Sequence, residues 1–371
     1  MDPLARPSEE DQERSFSRSA STAAVDSILA RLRSGSSDRR IEAAREVRRL
    51  TKTSSRNRRR LADAIEPVVS LLRSGSAEDA EAALPALLNL AVKDESNKIK
   101  IIDAGALDPL VAFLQSPNPN LQENATATLL TLSASSANKP VIASTAAVPR
   151  LTELLRSGSP QAKADAVAAL SNLSALPEAL QDILLSRPVP RLLDLLKASK
   201  KSSRTAEKCT SLLEPLLASD EARAALAAEP GGVLAVVEAV EDGSPRTREH
   251  AVGALLALCR SDRRKYRDAI LNEGAIPGLL ELTVQGTEKA RAGARELLEL
   301  LRGDSSGRRS EREEGETLGH VVTDIVWRID GEDRSGKAKR MLEEMVRVSM
   351  EESLRHLEQR AALMHAPAAE L

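Results

Sequence analysis

Aromatic residues are the scarcest class in this 371-residue chain, which contains only Phe16, Phe113, Tyr266 and Trp327. Hydrophobic residues still make up 42% of the chain, so the apolar fraction is almost entirely leucine, alanine, valine and isoleucine. Sheets are enriched in aromatic and β-branched residues, whereas leucine and alanine are strong helix formers. The composition therefore favours stacked helices and excludes a typical β-sandwich or barrel.

Cysteines are few, and the chain has no long apolar run and no large excess of either charge. The two cysteines, Cys209 and Cys259, stand in helical contexts, which excludes a disulfide framework and is typical of a reducing compartment. No run of about 18 apolar residues is present, so we expect no membrane insertion, and the first residues lack the apolar core of a signal peptide. The net charge of −2 carries no nucleic-acid signature. We expect a soluble protein of the cytoplasm, the nucleus or both.

Groups that support catalysis are scattered along the chain. None of the four histidines has metal-ligand spacing with a cysteine or a carboxylate; they are His250, His320, His356 and His365. No GK[ST] or G-x-G-x-x-G stretch follows a strand pattern, so a phosphate-binding loop is disfavoured. We therefore expect no enzyme activity, no metal site and no cofactor.

A repeated pattern of apolar residues is the strongest feature of the sequence. Stretches such as IEPVVSLL and LDPLVAFL place apolar residues at i, i+3, i+4 and i+7, as on one face of a helix. Seven copies lie 40 to 44 residues apart, beginning at residues 25, 65, 107, 148, 189, 233 and 276. This period indicates solenoid repeats of two or three helices. Each repeat is predicted to contain a short first helix, which ends at a glycine such as Gly105 or Gly274, then an apolar second helix and a longer third helix.

The sequence RSGS recurs at 33–36, 73–76 and 156–159, and it is predicted to be a hinge between the second and third helices. Its glycine suits the left-handed backbone that ends a helix, and its last serine is a good N-cap for the next helix. Asp79, three residues after Ser76, is predicted to complete a short capping box. Each copy also reads Arg-x-x-Ser, so a phosphorylation site in one of them is the alternative.

Longer stretches of the repeats carry a resemblance to a known family. They are DAGALDPLVAFLQS, AVAALSNLS, EKCTSLLEPLL and NEGAIPGLLELTVQGTEKARAGARELLELLR. These stretches resemble the armadillo repeats of plant U-box ubiquitin ligases and of relatives that lack the U-box. The resemblance covers about residues 23–303, and GKAKRMLEEMVRVSMEESLRHLEQRA is similar to the tail of the relatives without a U-box.

The resemblance implies an all-α fold, an armadillo-repeat right-handed superhelical solenoid whose third helices line a concave groove for partner proteins. About 22 residues precede the first repeat and none of them resembles a U-box, so we do not expect the ligase activity to transfer.

Four segments are predicted along the chain. They are a disordered tail (1–22), an array of about seven repeats (23–303), a linker (304–320) and a C-terminal helical extension (321–371). The extension has an apolar helical stripe, which favours packing on the last repeat as a cap over a free partner-binding helix. In the tail, Ser17 and Ser21 each follow an arginine by three residues and are candidate phosphorylation sites.

The resemblance also implies which residues line the groove. In well-studied armadillo proteins, an asparagine of the third helix pairs with the ligand backbone and a tryptophan one turn earlier packs on its side chains. Asn89 and Asn172 keep the asparagine position and Thr131 replaces it. Arg49 occupies the position in the first repeat, and Glu214 is the expected equivalent in the fifth. The tryptophan position holds other residues, which disfavours a nuclear-import carrier, and exposed polar residues without a ligand are the alternative for the two asparagines.

The first repeat is unusually basic. Residues 31–60 hold twelve lysines and arginines against three acids, a local balance of +9. Arg45 and Arg49 are spaced i, i+4 and share the helix face that is predicted to line the groove. Because guanidinium groups bind carboxylates and phosphates through paired hydrogen bonds, we expect an acidic or phosphorylated partner segment here. A solvated cap on the array is the alternative, as is a nuclear import signal for RNRRR (56–60); no stacking aromatics support nucleic-acid binding.

The function predicted from these features is a non-catalytic protein–protein interaction adaptor that binds partner segments in a concave groove. A regulatory or substrate-recruiting component associated with a ubiquitin ligase is the first alternative. A nucleocytoplasmic transport carrier is the second.

Overall fold

The computed structural model describes residues 23–302, and most of this range is helical. No strand occurs in the part of the chain that the structure describes. The predicted tail (1–22), linker (304–320) and extension (321–371), together with Ser17 and Ser21, lie outside the described residues.

Three sets of helices alternate along the chain. The second helices of the repeats are 23–32 (α1), Ile65–Leu72 (α4), Leu107–Phe113 (α7), Ala147–Ser157 (α10), Val189–Ala198 (α13), Gly232–Asp242 (α16) and Ile276–Gln285 (α19). The third helices are Ser37–Thr51 (α2), Ala77–Ala91 (α5), Pro119–Ser133 (α8), Pro160–Leu173 (α11), Arg204–Leu216 (α14), Pro245–Ser261 (α17) and Glu288–Leu301 (α20). The first helices are Ser55–Arg60 (α3), Glu95–Asp103 (α6), Lys139–Ala143 (α9), Pro177–Leu185 (α12), Asp220–Ala228 (α15) and Arg263–Asn272 (α18), and a 3-10 turn covers Ala62–Ala64. The predicted helical repeat is confirmed, because each predicted start lies within two residues of a second helix's first residue.

The described residues divide into two compact halves, 23–192 and 193–302, with the boundary inside α13. In the N-terminal half, the third helices α2, α5, α8 and α11 pack side by side in chain order. In the C-terminal half, α14, α17 and α20 do the same. Second helices pack on third helices in both halves, α4 on α5 and α16 on α17 for example. Each half is therefore a stack of helical repeats.

Alternating small and large apolar residues fill the core of each stack. On α5, Ala83 and Ala86 are fully buried, and so are Leu84, Leu87 and Leu90. A helix that is apolar nearly all round must be covered by neighbours on several sides, and the neighbouring third helices supply this cover. Each fully buried leucine contributes about 1.5–3 kcal/mol, so leucine and alanine can hold the stack together with almost no aromatic residues.

The predicted role of the hinge serines as N-caps is confirmed for Ser76 and Ser159. The side chain of Ser76 accepts a hydrogen bond from the backbone N–H of Asp79, and Ser159 accepts one from Ala162. Ser36 occupies the same N-cap position of α2 but makes no side-chain capping hydrogen bond. Two of the three copies therefore use the hydroxyl to satisfy an N–H at the start of a third helix.

The predictions for the hinge glycines and for the capping box need correction. Only Gly75 is left-handed, with φ of 79°, whereas Gly158 is extended, with φ of −70° and ψ of 164°. A Cβ on Gly158 would lie 2.8 Å from the carbonyl oxygen of Leu154, so a close approach of backbone explains that glycine. Asp79 does not bond back to Ser76; its Oδ1 accepts a hydrogen bond from Ser37 Oγ at 2.9 Å, because the start of the neighbouring α2 is within reach. The glycines that end the first helices, Gly105 and Gly274, are left-handed as predicted.

Two buried asparagines join consecutive repeats. The Nδ2 of Asn97 donates to the carbonyl oxygen of Leu90, at the end of the preceding third helix (3.0 Å), and to that of Arg58, in the preceding first helix (3.1 Å). Asn138 repeats the pattern with Leu132 (3.4 Å) and Lys98 (3.1 Å). Each amide thus satisfies a carbonyl that the helix end leaves open.

Candidate protein-interaction surface

The residues predicted to line the groove all lie on third helices of the N-terminal half. Arg45 and Arg49 are on α2, Asn89 is on α5, Thr131 is on α8 and Asn172 is on α11. Because these four helices pack side by side, Arg49, Asn89, Thr131 and Asn172 occupy equivalent positions on one row of helices, and Arg45 lies one turn before Arg49. We call this row the N-terminal third-helix face.

The two asparagines on this face bond to the chain itself. Nδ2 of Asn89 donates to the carbonyl oxygen of Arg48, in the last turn of α2, at 2.9 Å. Nδ2 of Asn172 donates to Ser133 Oγ at 3.1 Å, and the carbonyl oxygen of Leu130 is 3.5 Å away. Each asparagine therefore links its own helix to the end of the preceding third helix. The sequence assigned these amides to a ligand backbone or to solvent and missed this link between helices.

The face between the asparagines is shallow. The hydroxyl of Thr131 donates to the carbonyl oxygen of Ala127 one turn earlier, at 2.9 Å, a bond within its own helix. Pro85 and Ala168 are buried and Ala127 is half-buried at the positions where a tryptophan would stand. This part of the face therefore offers little apolar surface to a ligand.

A stripe of basic residues runs along the later half of α2. Its members are exposed and spaced i, i+3, i+4 and i+7, so they share one side of the helix. We call this stripe the basic surface; it consists of Arg45, Arg48, Arg49 and Lys52. Arg45 and Arg49 were predicted from the sequence, and the structure adds Arg48 on α2 and Lys52 directly after the helix.

Glu46 is the acid paired with this stripe. Its Oε1 lies 3.6 Å from Nη2 of Arg49, and its Oε2 pairs with Arg31 of α1. The Arg49 side chain remains 71% exposed, and exposed ion pairs contribute about 0–1 kcal/mol. No ion pair within residues 23–302 involves Arg45 or Arg48. Most of the positive charge of the basic surface is therefore not neutralised by these residues.

Arg58, the central arginine of RNRRR, is a structural residue. It is only 6% exposed, and its guanidinium donates to the carbonyl oxygens of Thr51 and Lys52, each at 3.0 Å. A cation at the C-terminal end of α2 satisfies the last carbonyls and complements the helix dipole. This burial weighs against the alternative interpretation of the stretch as an import signal.

The C-terminal half carries acids on its third helices. Glu214, the expected equivalent of the groove asparagine, accepts a hydrogen bond from His250 Nδ1 (2.6 Å) on α17 and one from Lys289 Nζ (3.2 Å) on α20. Burial raises the pKa of Glu214, but the hydrogen bond to His250 and the charge of Lys289 outweigh it, so the net pKa is lowered. Gly253 makes room for this carboxylate, since a Cβ there would lie 2.4 Å from Glu214 Oε1. Glu214 is therefore an ionised acid held between neighbouring helices.

Further ion pairs cross the same row of helices. They are Arg246–Glu207 (3.8 Å), Lys289–Glu249 (3.7 Å) and Arg260–Glu296, where two nitrogen–oxygen distances are 2.6 Å. The hydrogen bonds from Arg260 lower the pKa of Glu296. The charges on this C-terminal third-helix face are thus matched between adjacent helices of the chain.

Neither cysteine thiol within the described residues is reactive near neutral pH. Burial raises the pKa of Cys209 to about 12 and that of Cys259 to about 11. A thiolate is the reactive form of cysteine, so both side chains act as small core residues. Within residues 23–302, no group of histidines, cysteines and carboxylates could hold a metal ion, and no helix is long and apolar enough to cross a membrane.

Comparison with known proteins assigns the repeats. Residues 94–134 and 135–175 each match the family model described as Armadillo/beta-catenin-like repeat. Over 233 residues, 63% of this chain, the sequence is 30% identical to U-box domain-containing protein 45 of Arabidopsis thaliana. Over 282 residues, 75% of this chain, it is 36% identical to U-box domain-containing protein 17 of the same plant. The chain spans 30% and 38% of the length of these two relatives.

Among solved structures, the fold resembles that of an engineered protein with a TM-score of 0.58 and 22% identity, over 75% of this chain and 78% of that one. The fold is that of an all-α helical-repeat protein of the armadillo type. Residues 94–175 match armadillo repeats, and the chain is similar to plant U-box domain-containing proteins over the stretches given above.

Proposed function

We propose that this protein is a non-catalytic adaptor of the cytoplasm or nucleus that binds a partner polypeptide along the N-terminal third-helix face. An acidic or phosphorylated part of the partner lies on the basic surface, and the rest of the segment crosses α5, α8 and α11. The observation that carries this proposal is the exposed stripe of Arg45, Arg48, Arg49 and Lys52. Arg49 is the one member of the stripe that Glu46 contacts.

Electrostatics favours an anionic ligand here. Arginine forks form short, charge-assisted hydrogen bonds with carboxylates and phosphates, about twice as strong as neutral ones. A phosphoserine carries a charge of about −1.5 to −2, so it can pair with two neighbouring guanidinium groups at once. The i, i+4 pair of Arg45 and Arg49 presents two such groups on one side of α2.

The spacing of the third helices suits an extended segment. Packed helices lie about 8–10 Å apart, and an extended chain rises about 3.3 Å per residue. A partner segment that crosses from α2 to α11 therefore needs about eight residues. Beyond the bonds described above, Asn89 has a further amide hydrogen and its oxygen, and Asn172 has its oxygen, which suits contact with a peptide backbone.

A binding measurement on the full chain tests the proposal. The probe is a fluorescent ten-residue peptide with one phosphoserine flanked by glutamates, and its neutral counterpart carries serine and glutamines. We expect the R45E/R49E double variant to bind the phosphopeptide at least tenfold more weakly by fluorescence anisotropy. The matched control is R291E/R295E, which reverses two exposed arginines with the same spacing on α20. Equal affinities of R45E/R49E and the wild type would contradict the proposal.

A role beside a ubiquitin ligase is the second candidate function, favoured by the U-box domain-containing relatives. In this role the chain recruits a substrate or regulates a ligase without catalysing the transfer itself. Reactions with purified activating and conjugating enzymes test it: we expect no ubiquitin chains from this protein alone. Chains formed without any added ligase would overturn the non-catalytic assignment. The transport alternative predicts binding of a basic peptide, which the basic surface disfavours.

A further inference from the structure

The chain contains its own acidic segment close to the basic surface. Residues 9–13 read EEDQE and hold four carboxylates with no basic residue among them. We propose that this segment occupies the basic surface of the same molecule and competes with the acidic part of a partner. The inference rests on the proposed function, because it assigns an internal competitor to that same site.

The charge of the surface supports this occupant. Arg45 and Arg48 have no ion-pair partner among residues 23–302, and Arg49 has one, at 3.6 Å. A segment with four carboxylates offers one acid for each of the four cations of the stripe. Opposite charges about 4 Å apart in a partly exposed site attract by a few kcal/mol before desolvation, so complementary clusters in one chain are drawn together.

The connectivity places the segment within reach. The helices α1 and α2 are joined by the short hinge 33–36, and short connections make neighbouring helices antiparallel. The pair between Arg31 and Glu46 joins the two helices, and α1 is about 15 Å long. Glu46 also contacts Arg49, so this pair lies beside the basic surface, and residue 23 stands eight residues before Arg31, about 12 Å along α1.

The tether between residues 13 and 23 is the right length for this contact. Ten residues span about 17 Å on average if they behave as a flexible chain, and about 33 Å at full extension. A tether of this length holds the acidic segment at an effective concentration of the order of 1 mM. If the free segment binds with a Kd of about 0.1–0.5 mM, the affinity for a partner falls about threefold to tenfold.

Neutralising the acidic segment in the full chain tests the competition. We expect the E9Q/E10Q/D11N/E13Q variant to bind the phosphopeptide about threefold to tenfold more tightly than the wild type at 0.1 M salt. The gain shrinks at 1 M salt, where charges are screened within about 3 Å. The matched control, E311Q/E313Q/E314Q/E316Q, removes the same charge elsewhere in the chain, and we expect it to bind like the wild type.

The possible results separate the two proposals. If the neutralised variant and the wild type bind the phosphopeptide equally well, the internal competitor is excluded and the binding site stands. If the control gains as much affinity as the neutralised variant, the effect is one of net charge and the internal competitor is excluded as well. If the neutralised variant does not bind the phosphopeptide at all, the proposed function itself is overturned.

A cross-linking experiment without any partner tests the contact directly. Ser8→Cys can be labelled selectively with a benzophenone maleimide, because Cys209 and Cys259 are buried and their pKa values are raised to about 12 and about 11. We expect intramolecular cross-links to residues 45–52, and we expect R45E/R49E to abolish them. Cross-links to another part of the chain, or cross-linked dimers that increase with concentration, would overturn the inference.

Discussion

The two third-helix faces of this protein use the same scaffold and treat charge in opposite ways. In the C-terminal half, Glu214 accepts a hydrogen bond from His250 on the next third helix, and Glu249 pairs with Lys289 on the third helix that follows it. In the N-terminal half, α2 carries a stripe of cations, and the positions on the neighbouring α5 that are equivalent to Arg45 and Arg49 hold the uncharged Pro85 and Asn89. The difference lies in residues one repeat away from each arginine. Whether a cation on a third helix has an ion-pair partner therefore depends on which residue the neighbouring repeat places at the adjacent position.

This difference has a consequence for binding. A ligand on the C-terminal face must replace ion pairs that the chain already makes, and this offsets most of what it gains. A ligand on the basic surface meets cations that still lack a strong partner. We therefore expect an anionic segment to bind the N-terminal face more tightly than the C-terminal face, although both faces are built from third helices.

The largest expected effect concerns the arginines that support helix ends in the two halves. Arg58 donates to two carbonyls at the end of α2, and Arg223 donates to those of Leu217 and Ala218, at 2.7 and 2.8 Å. We expect R58A to lower the free energy of unfolding by about 3 kcal/mol, because charged hydrogen bonds are lost inside the protein. We expect a loss of about 1–2 kcal/mol for R223A, since its partners are more exposed.

Urea denaturation followed by circular dichroism measures both losses. The control for Arg58 is R59A, the removal of an exposed neighbour, for which we expect a change within about 0.5 kcal/mol. A loss for R58A no larger than that for R59A would show that Arg58 is a solvated cation, like the exposed Arg59.

A smaller effect is expected from moving an acid between the two faces. Asn89 and Glu214 stand at equivalent positions, so N89E gives the N-terminal face the carboxylate that its counterpart already has. The new acid can pair with Arg45 or Arg49, and we expect it to weaken binding of the phosphopeptide about tenfold. The control is N89Q, which keeps an amide and adds no charge. If N89E and N89Q bind the phosphopeptide equally well, the unpaired charges of Arg45 and Arg49 do not distinguish the two faces.

The sequence was informative wherever a local pattern determines structure. The apolar spacing located every second helix, and Ser76 and Ser159 were recognised as N-caps because capping depends on residues three positions apart. The partners of Asn89 and Arg58 were missed. Asn89 bonds to Arg48, 41 residues away, and Arg58 looked like one more member of a basic run. Contacts between repeats depend on which residues face each other after stacking, and single-sequence periodicity does not reveal this.

The smallest expected effect is a pH dependence that belongs to the C-terminal face. The pKa of Glu214 is lowered in the folded protein, so its carboxylate stabilises the fold above its ordinary pKa of about 4.5. This contribution is lost as the pH falls through the folded-state pKa. We expect E214Q to be less stable than the wild type by about 1 kcal/mol at pH 7, and the gap to close on acidification from about pH 5 downward. Urea denaturation at a series of pH values measures the gap, with E299Q, an exposed glutamate on α20, as the control. If the difference in the free energy of unfolding between the wild type and E214Q stays constant down to pH 3, the charge of Glu214 does not stabilise this face. The ion pairs of the C-terminal face would then contribute no stability that distinguishes it from the N-terminal face.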